Sequence, residues 1–423
     1  MGTGEVRTGM TGLPPVLLLG IDTPIGLCVM RELGRHGVPV FGIGKTARSI
    51  GAASRYCTQF HVRGKGPLKD WLPALVEKTG AVALMAISEG DLIQLADMPE
   101  QIGPCRVLTP RKAALDLVLD KERTLALARE WGIETPVNYT GTPDRWPVVL
   151  KWADPMQVQP KLEAAGISFL KAEIVHSAAQ LEKSLARYAT LGIKPLVQSY
   201  ASGRGLGRMF YRHKGETTLF FQHERLHEWP PEGGVSTLCQ SLPASLHQQR
   251  KARSEAFLNK IGWEGPAMIE YRYDPVTKQF VLMEINGRFW GSLPLASAAG
   301  AEFGWEHYRR HILGETKDAP AWKAGIRARF MIPETRRLIK LFAARSAHVD
   351  PHARLRRWQS LWRWLSGFLD PKMHYYVFAT DDPGPFFRDM ANIIRSIVPL
   401  DKVFPADRVR HQSSESRPHN KLG

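Results

Sequence analysis

Cysteine is scarce in this chain. Its 423 residues include four, Cys28, Cys57, Cys105 and Cys239, far apart and without a CxxC pair. That excludes a zinc ribbon and a disulfide-stapled scaffold, and it suits a reducing, cytoplasmic setting. Long apolar runs are missing too. The longest, Val16 to Ile21, ends at Asp22, far short of the roughly 20 residues that span a bilayer. The opening MGTGEVRTGMTGLPP carries one base, Arg7, ahead of that run, so no secretory signal is expected. Internal repeats are absent, and so is any acidic excess, since 57 Lys and Arg outweigh 41 Asp and Glu for a net charge of +16. What is present is a globular composition, 43% hydrophobic and 23% charged, with enough length for about two to four units. The positive excess admits nucleic acid, an anionic membrane or a phosphate-rich ligand. Residues 321–423 alone hold 19 basic against 9 acidic side chains.

The pattern along the chain changes texture three times. Apolar runs VLLLG and VPVFGIG flank a helical stretch, Ile25 to His36, and a helix from Leu68 to Lys78 precedes another run, Val82 to Ile87. Runs buried on both faces and alternating with helices predict a parallel sheet. Thr109-Pro110 then opens what reads as one long helix through ALDLVLDKERTLALAREW, with Gly132 and Pro136 past its end. Strands are expected at Val148–Lys151, Ile167–Lys171, Leu196–Tyr200, Met209–Tyr211 and Thr217–His223, and a capping box, Ser177 to Gln180, starts another helix. A helix from Ala244 to Ile261 precedes two strands, Met268–Tyr273 and Phe280–Asn286. The expected fold class is therefore α/β followed by α+β.

Two glycine-rich stretches lack the phosphate-binding patterns they resemble. Gly42-Ile-Gly44-Lys45-Thr46 has Pro39 where a P-loop needs glycine, and the Gly20 to Gly26 turn is not GxGxxG and has no acidic residue after Val38–Gly42 to hold a ribose. Close strand-to-helix packing is the better reading of the second.

The chemistry lies in Met268-IEYRYDPVTKQFVLMEINGRFWGS. If its strands fold back about Thr277, Tyr273 faces Val281 and Glu270 faces Glu284. Like charges opposed about 5 Å apart are unfavourable unless a cation lies between them. Asn286 shares the face of Glu284, and two carboxylates with an amide oxygen favour Mg²⁺ whose remaining shell is water and phosphate. Arg288 continues the alternation and offers a fork for phosphate or carboxylate.

This hairpin resembles the metal-binding hairpin of the ATP-grasp superfamily, whose signature is an acidic residue, a short turn and E-x-N-x-R: here Glu270, then Glu284-Ile-Asn286-Gly-Arg288. The Phe-Trp-Gly-Ser run that follows is similar to that of carbamoyl-phosphate-synthetase-like members. The resemblance covers residues 14–315 and implies three parts, to which composition adds a fourth. These are a Rossmann-like pre-ATP-grasp domain (14–108), a small ATP-grasp subdomain (109–197) entered by a helix near Asp120-Lys121, a catalytic subdomain (198–315), and a basic, Trp-rich helical extension (316–423). It implies that Lys151 and Lys171 meet ATP phosphates and that the hinge Gln198-Ser199-Tyr200 reads adenine. Glu270, Glu284 and Asn286 would hold one or two Mg²⁺, with Mn²⁺ as a substitute. The stretch Gln222 to Ser236 offers His223, Arg225 and His227 near Gly233-Gly234, where Arg225 would join Arg288 in catalysis. Two departures stand out: the family's glycine-rich loop is ADPMQVQPKLEAAG, with only Gly166, and its post-hinge acidic residue is replaced by Gly203-Arg204-Gly205.

The implied reaction is ATP-dependent activation of a small carboxylate for attack by an amine, releasing ADP and phosphate. The alternative is a non-catalytic ATP-binding or membrane-surface scaffold. In ARLRRWQSLWRWLSGFL, Leu355, Trp358, Trp362, Leu365 and Leu369 form a helical stripe with Arg354, Arg357 and Arg363 off it. Such a stripe either packs on its own domain or lies at a membrane, a peripheral contact through residues 353–369. No nucleic-acid motif accompanies it, and the sequence leaves the oligomeric state open.

Overall fold

The computed structural model describes residues 12–152, 155–167, 172–229, 234–343 and 357–397. Three sheets organise them. The first has the order β3-β2-β1-β4-β6-β5, from β1 (Val16–Leu19), β2 (Val40–Gly44), β3 (Cys57–Val62), β4 (Ala83–Ala86), β5 (Gln101–Ile102) and β6 (Cys105–Val107). Its first four strands and β6 run parallel, and β5 turns back as an antiparallel edge. Helices α1 (Pro24–Arg35), α2 (Leu68–Thr79) and α3 (Glu89–Ala96) connect them. The Gly20–Gly26 turn packs as expected: a Cβ on Gly26 would lie 2.4 Å from the Gly20 carbonyl oxygen. After Gly44 comes only a 3₁₀ turn, Ile50–Ala53, rather than a phosphate-binding helix.

The single helix expected after Thr109 is two. Helix α4 (Lys112–Leu119) stops at Asp120, whose carboxylate accepts the Arg123 amide at 3.0 Å and caps α5 (Lys121–Glu130). An aspartate offering its own acceptor to the backbone breaks a run that helical periodicity alone would continue.

The second sheet, β7-β10-β8-β9, is antiparallel. It consists of β7 (Asn138–Tyr139), β8 (Val148–Lys151), β9 (Ala172–Val175) and β10 (Leu196–Ser199), backed by α6 (Pro155–Ala164) and α7 (Ala178–Ala189). Val148, Leu150, Trp152, Leu162 and Tyr188 form its core. Helix α6 occupies the stretch where the family has a glycine-rich loop. Of the strand expected at Ile167–Lys171, residues 168–171 lie outside the described residues.

The third sheet has the order β15-β14-β11-β12-β13-β16-β17. Its strands are β11 (Arg204–His213), β12 (Glu216–Trp229), β13 (Val235–Ser241), β14 (Gly265–Tyr273), β15 (Phe280–Asn286), β16 (Arg327–Arg329) and β17 (Met373–Tyr375). One face, with Leu206, Phe210, Tyr271 and Leu282, packs on Phe257 and Leu258 of α8 (Gln248–Lys260). The other, with Met209, Tyr211 and Phe221, packs on Trp290, Leu293 and Phe303, the last two in α9 (Leu293–Ala299) and α10 (Phe303–Tyr308).

The stretch after residue 315, expected as a helical extension, is not helical throughout. Strand β16 pairs with β13 and β17 with β16, around α11 (Met331–Ala343), α12 (Arg357–Ser366) and α13 (Gly384–Ile397). Edge groups of β13 need partners, and these short strands supply them. Residues 353–356 of the tryptophan segment lie outside the described residues. In α12 the stripe is turned outward, with Trp358 74% and Trp362 70% exposed.

Candidate active site at the charged end of the third sheet

The site arises because one face of three neighbouring strands changes character along its length. On β14 it runs Met268, Glu270, Arg272; on β12, Phe221, His223, Arg225; on β11, Met209, Gly207, Gly205. The apolar end is core and the charged end is the site. Across the sheet, Glu284, Glu270, Gly207, His223 and Ser241 form one row of paired residues.

The carboxylates oppose each other as the spacing predicts, but by a different route. Tyr273 pairs with Phe280, not Val281, and Arg272 takes Val281. A bulge between Glu270 and Tyr271 then restores Glu270 opposite Glu284. The loop is fixed by Asp274, which accepts the Val276 amide at 2.8 Å, and by Lys278 at φ 59°. Counting from the turn could not reveal the extra residue.

Asn286 donates to Glu270 at 3.1 Å and to Glu284 at 3.4 Å, so the three expected metal ligands meet. Two cations answer the acidic pair: Arg225 reaches Glu270 at 2.5 Å, and Lys121 reaches Glu284 at 3.0 Å. Burial works against the Arg225 charge, yet Glu270, Glu228 and Glu284 hold it protonated, its pKa above the ordinary arginine value. Burial also opposes the Lys121 charge, but Glu284, Glu89 and Glu270 carry its pKa above the ordinary lysine value. Lys151, at the end of β8, faces the same carboxylates across the gap between the sheets. Burial lowers its pKa, Lys121 and Arg272 add to that, and Glu284 and Glu270 oppose it.

Arg225 reaches Glu270 only because the strand between them is bare. Gly205 and Gly207 leave a trough in β11 through which the guanidinium passes. A Cβ on Gly205 would lie 2.7 Å from Arg225 Cδ and 2.9 Å from Glu228 Oε1, and one on Gly207 would lie 2.7 Å from His223 Cε1. His223 is buried with neither ring nitrogen hydrogen-bonded, and burial and Arg225 push its pKa down to about 3. His227 is drawn away, its Nδ1 2.6 Å from Glu334 of α11.

The remaining expected residues are spread around this centre. Arg288 pairs with Glu89 at 3.1 Å, at the start of α3 and therefore past the carboxyl end of β4, where open parallel sheets bind ligands. Ser199 and Tyr200 border a cleft of about 740 Å³ between the second and third sheets, with Val137 on one side and Arg272 and Val281 on the other. Gln198 is buried, bonded to Asn138 at 2.8 Å, its carbonyl oxygen without a partner. Lys171 and Gly233 lie outside the described residues. Lys121, Glu89 and the glycine trough went unassigned in the sequence. The alternation Gly203-x-Gly205-x-Gly207 was the available signal for the trough, because glycines two apart in a strand clear one face.

Two carboxylates and a carboxamide at a single point fit an oxygen-preferring divalent cation that keeps water or phosphate in its shell. Among the described residues no three His, Cys, Asp or Glu side chains converge as a self-sufficient metal cage. The acidic pair lies between two sheets, ringed by Lys121, Lys151 and Arg225.

Solved structures share this fold. The chain is similar to the biotin carboxylase domain of Hydrogenobacter thermophilus 2-oxoglutarate carboxylase, a complex with MgADP, ADP and bicarbonate (14% identity, TM-score 0.55, covering 75% of this chain and 74% of that one). It is similar to Staphylococcus aureus N5-carboxyaminoimidazole synthetase complexed with ADP (13%, 0.54, 72% and 78%). A third is L-amino acid ligase from Bacillus licheniformis (13%, 0.52, 73% and 78%). The chain shares the fold of these three solved structures. No protein-family model and no curated protein matches the sequence.

Proposed function

We propose that the protein is an ATP- and Mg²⁺-dependent ligase that activates a small carboxylate as an acyl-phosphate and passes the acyl group to an amine. The observation that carries this is the convergence of Glu270, Glu284 and Asn286 with Lys121 and Arg225 at the mouth between two sheets. Arg225 and Lys121 each answer one of the opposed carboxylates, and a divalent cation between the two would complete the neutralisation, an arrangement that a scaffold has no use for. Glu270, Glu284 and Asn286 would hold one or two Mg²⁺ (Mn²⁺ as substitute), and the bound metal supplies charge neutralisation on the phosphates.

The chain's own groups do the rest. Lys121 and Lys151, with Lys171 by resemblance, offset phosphate charge, and the hinge Gln198-Ser199-Tyr200 borders the adenine. The substrate carboxylate oxygen attacks the γ-phosphorus, ADP leaves, the amine attacks the acyl carbon, and phosphate leaves. Arg225 and Arg288 orient the carboxylate and stabilise the charge on the group in transfer. On this reading, residues 14–108, 109–197 and 198–315 are the pre-ATP-grasp, small and catalytic parts, and ATP use with four free cysteines suits the cytoplasm.

The test is Mg²⁺-dependent ADP release with mixed carboxylates and amines. Glu284→Gln should abolish release while leaving the circular dichroism spectrum and melting temperature unchanged. Unaltered release by that variant would sink the assignment, and no release by the wild type would favour the scaffold alternative. A second, compatible reading follows from α12. Exposed Trp358 and Trp362 beside Arg357, with Leu369 87% exposed, suit peripheral contact with an anionic membrane. No helix among the described residues is long and apolar enough to cross one.

A further inference from the structure

We propose that the C-terminal segment walls a second compartment beside the metal hairpin, and that this compartment selects an acyl substrate carrying a second anionic group. The inference rests on the ligase reading and names the substrate class of that enzyme.

A cavity of about 1040 Å³ opens between the hairpin side of the third sheet and the C-terminal segment. One wall is Gly203 to Gly205, the outer end of β12 and the 274–277 loop; the other is β16, α11 and the stretch from Arg363 to Asp370. Seven arginines line it against four carboxylates. Those near the hairpin are matched, since Arg225 and Arg272 share Glu228 at 3.4 and 2.9 Å. The C-terminal wall is matched only in part, with Arg327 paired to Asp370 at 2.8 Å. Arg337, buried in α11, meets only Glu334, at 3.5 Å, and that carboxylate already bonds His227 and Thr237. Arg363 has no carboxylate partner among the described residues.

Arg329 is more telling. It is 2% exposed and donates to the Trp364 carbonyl at 2.9 Å, with its guanidinium near the rings of Trp364 and Phe368. Its Nε is buried without a partner, and among the described residues no carboxylate forms an ion pair with it. Desolvating an arginine without an anion is costly, and a ligand anion on the forked guanidinium recovers that cost. The acids of this wall, Glu334 and Asp370, are already engaged by His227, Arg337 and Arg327.

The nucleotide does not account for the charge. The cleft at the hinge is a separate cavity that shares only Arg272 and Asp274 with this one. The two meet at Arg272 and Asp274, and Arg272 lies two residues along β14 from Glu270, the partner of Arg225. A substrate with its reacting carboxylate at that seam would extend away from ATP towards Arg337 and Arg363, and the second anion there would be a carboxylate or a phosphate.

Isothermal titration of the full-length protein with Mg–ADP present tests this, using butanoate, glutarate and 4-phosphonobutanoate as probes. One or both dianions should bind at least tenfold tighter than butanoate, the tighter of them distinguishing carboxylate from phosphate. Arg363→Gln and Arg337→Gln should each remove that preference by tenfold or more while Mg–ADP affinity stays within twofold of wild type. Arg363 is on the surface, so its variant keeps the test valid should Arg337→Gln fail to fold. Equal affinity for butanoate and both dianions, or a preference untouched by both substitutions, overturns the compartment while leaving the ligase reading standing. A wild type that prefers the dianions but does not bind Mg–ADP overturns the ligase reading alone.

Discussion

Replacing Gly205 with alanine adds one methyl group and no charge, yet it should damage the site more than the fold. The new Cβ would stand 2.7 Å from Arg225 Cδ and 2.9 Å from Glu228 Oε1, inside van der Waals contact. The backbone at Gly205 is ordinary strand, so alanine is tolerated there and contributes about 0.5–1 kcal/mol over glycine. Local overpacking costs about 1–3 kcal/mol. The two nearly offset, leaving a melting temperature lower by only a few degrees. Arg225 must swing away, which forfeits its charge-assisted bond to Glu270, worth about 1.5–3 kcal/mol. Since each 1.4 kcal/mol is about tenfold, kcat/KM for ATP in the ADP-release assay should fall roughly ten- to hundredfold. A melting temperature and kcat/KM both within error of wild type would show that Arg225 does not depend on the trough, and the reasoning would fail.

Two further outcomes are expected. His223 has a folded pKa near 3 against an unfolded value near 6.5, so below pH 6.5 only the unfolded chain gains that proton. Stability is therefore lost as pH falls, by about 2 kcal/mol between pH 6 and 4.5 from this residue, and His223→Gln should flatten that part of the melting-temperature profile. An unchanged slope in the variant would assign the acid sensitivity elsewhere. Trp358→Ser with Trp362→Ser should abolish flotation of the full-length protein with phosphatidylserine-containing liposomes, and undiminished flotation of that double variant would argue against α12 as the contact.

Much of the site was legible because local chemistry encoded it. Glu270, Glu284 and Asn286 could be paired from strand alternation, and the acidic pair demanded a cation whatever the surrounding fold. Lys151 was readable from its strand and its place in the order of segments. Lys121 was not, because the long apolar periodicity hid the break at Asp120. Arg225 was named, but its partner was not foreseeable: Arg225 on β12 and Glu270 on β14 are far apart in sequence and meet only because β11 lies between and pairs with both strands.

The sequence by itself determined the sheet-forming runs, the charged hairpin and the excess of positive charge in the last quarter, since periodicity, alternation and composition are local properties. Tertiary structure decided what those charges face. Pairing β16 with β13 swings Arg329 into the same cavity as the hairpin loop, and the bulge in β14–β15 decides that Glu284, rather than Met283, meets Glu270. Both depend on which strands become neighbours, and long-range pairing is set by the burial of whole faces rather than by any one segment.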